Sequence, residues 1–402
     1  MIRIEDQARA LCDGCVDVVT QSEFAQRLGN GRPLRVKLGI DPSGPLLHLG
    51  HAVVLRKLRQ FQDLGHEAVL IVGDFTAQIG DPTGRQDARK PRSREEIEAD
   101  MRTYAEQAGA ILDVSRAKIV FNSEWLARLT FADVMRIASN ITVARMLERD
   151  DFSKRYQSGD AITLTEFLYP LSVAYDSVAV NADVELGGSE QLFNLVMGRR
   201  LQEDFGQAPQ ICMTLPIIEG TDGVQRMGKS LNNHIALRDE PAAMFGKVMS
   251  IPDAVLGRYW RLATSAPRED VELIERDLAA GTLAPRDAKL RLAEEIVKLY
   301  HGTDAAAAAR ANFEKTVVRK ELPDAVPPFF LPTSTESISI AKLLVWLGWA
   351  ASNREAQRLV AQGAVKVDGA RVDDPKRIEA SWVGKVIQKG NHQFARIVAP
   401  KP

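Results

Sequence analysis

LRVKLGIDPSGPLLHLGH, residues 34–51, is the stretch on which the fold turns. Its first seven residues (34–40) read as a buried strand, closed by the turn-rich Asp41-Pro42-Ser43-Gly44-Pro45. A helix is expected from near His48, with Leu55, Leu58 and Phe61 at helical spacing and Gly65 as its stop. Residues 67–73 (EAVLIVG) then supply a second apolar strand rich in β-branched side chains. Strand, helix and strand within about 40 residues make a βαβ unit, which predicts an α/β fold with a parallel sheet and helices on both faces. Ligands of such sheets sit beyond the carboxyl ends of the strands, and the two unusual segments, 41–51 and 74–85, fall there.

Outward from that unit, residues 94–205 read as mostly helical, with Asp- and Ser-started amphipathic stretches. Residues 285–300 form another helix, with Leu292, Ile296 and Leu299 on one face. Ala305 to Ala309 sit in a helix opened by Asp304. ELPDAVPPFFLPTST (321–335) carries four prolines and almost no periodicity, so it reads as a linker. Helix signals follow at 338–362, and short strands after Gly363.

The 402 residues are 45% apolar and 26% charged, which excludes wholesale disorder, collagen-like repeats and a disulfide scaffold and suggests two or three domains. Net charge is −1, but residues 336–402 hold 11 basic and 6 acidic side chains, so a +5 tail follows a −6 body. A tail of opposite sign points to a separate binding module. Cys12-Asp-Gly-Cys15 has redox or half-zinc spacing, but Cys212 is the one other cysteine, so the pair reads as two thiols near an N-terminal helix. The start, MIRIEDQARA, lacks a basic-then-apolar leader pattern, and no run nears the roughly 18 apolar residues of a membrane span. A cytoplasmic protein without a membrane partner is expected.

His48 and His51, at i and i+3 around Gly50, have a spacing that could suit a metal. A metalloprotease pair is i, i+4 with a glutamate between, and no third ligand lies nearby. Phosphate binding is the better reading, because helix N-terminal N–H groups attract anions and imidazoles add donors. A structural turn stays open as the alternative. Arg226-Met227-Gly228-Lys229-Ser230 follows a Gly/Asp-rich loop, Glu219 to Gly223. Alone it reads as solvated surface, and its glycine spacing is not that of a Walker loop.

Together, His-Leu-Gly-His after the first strand and Met-Gly-Lys-Ser some 175 residues later resemble the two signatures of class I aminoacyl-tRNA synthetases. Tyr169-Pro-Leu-Ser-Val-Ala-Tyr175-Asp176, Leu186-Gly187-Gly188-Ser189-Glu190-Gln191, Gly80-Asp81-Pro82-Thr83-Gly84-Arg85 and Val143 to Asp151 are similar to bacterial tyrosyl-tRNA synthetases with a short carboxyl-terminal region. The resemblance runs in order from about residue 34 to the end of the chain. It implies a Rossmann-type catalytic domain with a helical, dimer-forming insertion over 1–225, and a signature loop with a helical tRNA-binding domain over 226–320. The linker 321–335 and a small α+β RNA-binding module over 336–402 complete it. The implied activity joins L-tyrosine to tRNA(Tyr) through a tyrosyl-adenylate, with ATP as co-substrate and Mg²⁺ bridging its phosphates rather than held by a dedicated protein site.

By the same resemblance His48 and His51 serve the phosphates, while Lys229 and Arg226 ride a loop that closes over pyrophosphate, with Arg85 and Arg89 as further basic positions. Asp41, Ser43, Gly50, Gly188 and Glu190 match positions that line the nucleotide. Asp81 and Tyr169 match groups that hold the substrate ammonium, Asp176 accepts the phenolic proton, and Lys37, Gly39, Val173 and Gln191 match the rest of the tyrosine pocket. Tyr169 and Asp176, seven apart, share a helix face. Val173 stands where the family usually has glutamine, Ala77 where glycine is usual and Glu190 where aspartate is usual. Ile338 to Val398 resembles a small α+β RNA-binding module shared with a small-subunit ribosomal protein and pseudouridine synthases, on residues 352–360 and 363–369, with Arg354 and Arg358 at i, i+4 and Lys366 starting the next strand. Two alternatives stay open: a paralogue that activates a tyrosine analogue, and a non-catalytic RNA-binding protein on a synthetase scaffold.

Overall fold

The computed structural model describes residues 3–83, 93–101, 103–319, 326–332, 338–379, 381–390 and 393–400. Strands β1 (Asp17–Val19), β2 (Arg35–Ile40), β3 (Glu67–Val72), β4 (Lys118–Phe121), β5 (Val184–Gly188) and β6 (Ile211–Leu215) form one sheet in the order β1-β6-β5-β2-β3-β4. β1 runs antiparallel to β6, and every other neighbour pair is parallel. The βαβ unit is β2, the Leu49–Asp63 helix and β3, with Val36 opposite Ala68 and Leu38 opposite Leu70. That helix buries Leu49, Val53, Leu55, Leu58 and Phe61, and Gly65 follows it at φ +87°, a conformation that favours glycine.

The chain leaves β2 toward β3 on one side, whereas β5 and β6 lie on the other. Strand order therefore reverses between β2 and β5, the place where such sheets take their ligands beyond the strand ends. The segment read as helical, 94–205, does hold helices, notably Leu164–Val180 and Leu192–Asp204, but also β4 and β5. Short apolar runs of four or five residues cannot be told from helix by period, and β5 hides its character further by burying Glu185.

The chain divides into two compact units, 1–239 with 251–285 and 240–250 with 286–402. The second holds the helices Pro241–Ser250 and Thr303–Phe313, the Pro285–His301 helix but for its first residue, and a five-stranded sheet. That sheet comprises β7 (Pro328–Phe330), β8 (Val365–Val367), β9 (Ala370–Arg371), β10 (Val386–Lys389) and β11 (Gln393–Val398), in the order β7-β11-β10-β8-β9. β7 lies within the stretch read as a linker, and pairs parallel with β11 because Phe329 and Leu331 dock on the core of this sheet. Residues 321–325 and 333–335 of that stretch lie outside the described residues. The helices Ile340–Trp346 and Asn353–Ala361 start at Ser339 and Ser352, whose hydroxyls cap them, and enclose Leu343, Leu344, Val360, Trp382 and Ile387. Among the described residues no helix is long and apolar enough to cross a membrane.

Candidate active site

At the end of β2, Asp41 accepts hydrogen bonds from Thr76 Oγ1 at 2.7 Å and from the Tyr169 hydroxyl at 2.9 Å. A Cβ on Gly73 would stand 2.0 Å from Asp41 Oδ1, so only glycine allows this carboxylate to fold over β3. The following loop is clamped by a short helix, Tyr104–Ala108: the Tyr104 hydroxyl donates to Gly44 O at 2.6 Å, and Gln107 bonds Pro45 O and Leu47 N. Ser43 is exposed, its backbone N–H bonded to Asp41 O at 2.8 Å.

His48 caps the Leu49–Asp63 helix. Its Nδ1 accepts from the Gly50 N–H, while His51 Nδ1 accepts from the His48 N–H, each at 3.2 Å, with ring centroids 4.0 Å apart. Because both Nδ1 atoms are acceptors, each neutral ring carries its proton on Nε2 as a donor. Burial pushes His48 well below the usual histidine range and His51 down to about 3, and the Lys229 charge acts in the same direction on both. A Cβ on Gly50 would stand 3.0 Å from the His48 ring, so glycine there leaves that ring its place against the helix start.

The Met-Gly-Lys-Ser loop reaches these histidines through pairing that no local pattern announces. Leu49 N–H donates to Ile235 O and Leu237 N–H to Leu47 O, and His48 bridges Ala236. Asn233 holds the loop from inside, accepting from Gly228 N–H and donating to Arg226 O and Asp222. Lys229 Nζ thereby donates to Gly44 O at 2.8 Å, bringing residues 185 apart into contact. The exposed Arg226 lies at the base of the loop, paired across it with Glu219. Arg85 and Arg89 lie outside the described residues. At the end of β5, a Cβ on Gly188 would meet the Glu190 carboxylate at 2.3 Å, so glycine there lets Glu190 turn back over the strand end.

The amino-acid end is built on the Leu164–Val180 helix. Asp176 is buried and accepts from Trp125 Nε1 at 2.8 Å and Asn122 Nδ2 at 3.2 Å. Burial pushes its carboxyl up to about 7 against the Lys37 charge and these two donors. Asn122 also donates to Thr76 Oγ1 at 3.0 Å, so a continuous chain of hydrogen bonds links Asp176 through Asn122 and Thr76 to Asp41 and Tyr169. Lys37 is fully buried, with its ammonium on Val173 O at 3.1 Å, Ser177 Oγ at 2.8 Å and Glu185 at 2.9 Å. Its three donors are spent, which leaves its charge as its influence on Asp176. Gly39, two residues on and on the same strand face, has open space where a side chain would be. Asp81 accepts from Thr83 N–H at 2.9 Å and Gln191 Nε2 at 2.9 Å. Val173 stands half-buried, its carbonyl bonded to Lys37.

The structure thus brings His48, His51 and Lys229 together at one end, links Asp41, Tyr169 and Asp176 by hydrogen bonds, and places Asp81 close enough for its charge to act on Tyr169. Trp125, Asn122, Thr76, Tyr104 and Asn233 were not legible from the sequence, for each acts on a partner more than thirty residues away or, like Asn233, through backbone groups. In the second unit, Arg354 and Arg358 are exposed on one helix and Lys366 is half-buried in β8. Among the described residues no group of three or more His, Cys, Asp or Glu could hold a metal ion.

Residues 29–318 match the family model of tRNA synthetases class I (W and Y), and residues 340–378 match that of the S4 domain. The tyrosine–tRNA ligase of Thermotoga maritima is 51% identical over 393 residues, 98% of this chain and 97% of its own. That of Moorella thermoacetica is 48% identical over 395 residues, 97% of this chain and 95% of its own. Among solved structures, the tyrosyl-tRNA synthetase of Archaeoglobus fulgidus complexed with L-tyrosine superposes with a TM-score of 0.63 at 24% identity, over 77% of this chain and 100% of that one. The Aeropyrum pernix enzyme does so at 0.64 and 21%, over 79% and 98%. At such identities these two speak to the fold alone.

Proposed function

The chain belongs to the class I tRNA synthetases of the tyrosine and tryptophan branch and is an aminoacyl-tRNA ligase, and we propose that it charges tRNA(Tyr) with L-tyrosine in the cleft between β2 and β5. The tyrosine carboxylate attacks the α-phosphorus of ATP, pyrophosphate leaves, and a terminal ribose hydroxyl of tRNA then takes the tyrosyl group from AMP. Negative charge builds on phosphate oxygens, so the protein acts by positioning and electrostatics. His48 and His51 present Nε2–H donors, while Lys229, with Arg226, Arg85 and Arg89, neutralises the departing pyrophosphate. Asp41, Ser43, Gly50, Gly188 and Glu190 line the nucleotide. Mg²⁺ would be held by the ATP phosphates, where it neutralises charge.

The substrate ring lies over Gly39, with its hydroxyl on Asp176. Tyr169 spends its proton on Asp41, so its oxygen remains an acceptor for the ammonium beside Asp81. The observation that carries this reading is the buried Asp176 carboxylate, oriented by two donors at one end of a cleft whose other end holds two neutral imidazoles and a lysine. Exchange of labelled pyrophosphate into ATP, run with tyrosine, phenylalanine, tryptophan, β-tyrosine and hydroxylated tyrosines, tests it. Strong exchange with tyrosine alone is expected. Preference for another amino acid would identify an analogue-specific paralogue, and silence from folded protein would favour the RNA binder.

The helices between β4 and β5 expose Phe131 (80%), Met135, Val143, Tyr156 and Leu164 (82%), apolar surface that a second copy of the chain would cover. Sedimentation should show a dimer that Leu164→Asp weakens; a wild-type monomer at tens of micromolar would refute this pairing. Arg354, Arg358 and Lys366 would contact the tRNA backbone, and the proposed site of action is the cytoplasm.

A further inference from the structure

Arg149 is a permanent cation whose side chain is only 5% exposed. Its Nε and Nη2 grip the two oxygens of Asp151 at 2.7 and 2.9 Å, and its guanidinium lies 4.8 Å over the Phe152 ring. The remaining contacts run to the two side chains that lead to Asp81. Nη2 donates to Thr83 Oγ1 at 3.0 Å, and Nη1 to Asn194 Oδ1 at 3.4 Å.

A guanidinium only donates, so it sets the direction of every bond beyond it. The Thr83 oxygen accepts from Arg149, so its own proton turns to Asp81 Oδ1, 2.5 Å away. Asn194 Oδ1 likewise accepts, so its Nδ2 must donate to Gln191 Oε1, at 2.7 Å. That in turn orients Gln191 Nε2 toward Asp81 Oδ2, at 2.9 Å. Two relays leave one guanidinium and end on the two oxygens of one carboxylate. Arg149 Nη2 itself stands 3.8 Å from Asp81 Oδ1.

We propose that Arg149 is the positioning residue of the ammonium site, fixing the rotamer of Asp81 through Thr83 on one side and through Asn194 and Gln191 on the other. This rests on the reading of Asp81 as a partner of the tyrosine ammonium. Val173 has no polar side-chain atom to share that task, so the orientation of Asp81 carries more of it.

The test is calorimetric binding to the full chain of L-tyrosine and of 3-(4-hydroxyphenyl)propionate, which lacks the ammonium. Arg149→Lys keeps the charge beside buried Asp151 but cannot fork to both relays. It should weaken L-tyrosine about tenfold and the propionate less than twofold, raising KM for tyrosine with kcat nearly unchanged. Thr83→Val, which leaves the Arg149–Asp151 pair intact, should give a smaller change of the same selectivity and serves if Arg149→Lys does not fold. Equal weakening of both ligands, or of neither, overturns the proposal. In an Asp81→Asn background, Arg149→Lys should cost no further tyrosine affinity. The same tenfold loss there would overturn the role of Arg149 alone, whereas full tyrosine affinity in Asp81→Asn itself would overturn the assignment of Asp81 and the proposal with it.

Discussion

Asp176→Asn is expected to lower kcat/KM for tyrosine by about two to three orders of magnitude while leaving the small value for phenylalanine nearly unchanged. The carboxylate faces two donors, Trp125 Nε1 and Asn122 Nδ2. An asparagine offers one oxygen and one NH₂ group, so at least one of those donors would meet a donor. The phenolic hydroxyl would lose a charge-assisted acceptor, and buried groups without partners cost about 1–3 kcal/mol each. Phenylalanine has no hydroxyl to lose. Pyrophosphate exchange with both amino acids measures the ratio, and an unchanged ratio would remove Asp176 from the specificity site. The same group sets a pH dependence. Its carboxyl, pushed up to about 7, accepts the phenolic proton better when ionised, so kcat/KM for tyrosine should rise with pH through about 7 and then level.

Lys229→Ala should lower kcat for adenylate formation by about two to three orders of magnitude with little change in KM for tyrosine. Lys229 Nζ donates to Gly44 O, beside His48 and His51 and away from Asp176. The interaction it would make with leaving pyrophosphate forms as charge develops, which is why kcat rather than tyrosine binding should respond. Rapid quench of adenylate formation separates the two, and a raised tyrosine KM with intact kcat would contradict this role. Because burial holds both histidines below their ordinary pKa, they stay neutral as pH falls through 6.5. Any acid limb near 7 should therefore survive His51→Asn and disappear in Asp176→Asn.

Local signals made half of this legible. The β2–helix–β3 unit, the histidine-capped helix start and the serine-capped helices of the C-terminal module rest on periodicity, caps and glycine stops a few residues apart. β4, β5 and β7 were not readable, because each is short and becomes a strand only beside a partner elsewhere in the chain. Lys37 shows the same limit within the site. The family resemblance placed it in the tyrosine pocket, whereas its three donors go to Val173 O, Ser177 and Glu185, 136 to 148 residues away.

By itself, then, the amino-acid sequence determined the parallel α/β class, the identity of the two signature segments and the residue types gathered at the strand ends. Tertiary structure alone decided that Lys229 meets Gly44, that both histidines are neutral Nε2–H donors, and that Arg149 orients Asp81 through two relays. The reason is physical: caps and periodicity act over one or two helical turns, whereas protonation and hydrogen-bond direction depend on burial and on donors the chain brings in from far along its length.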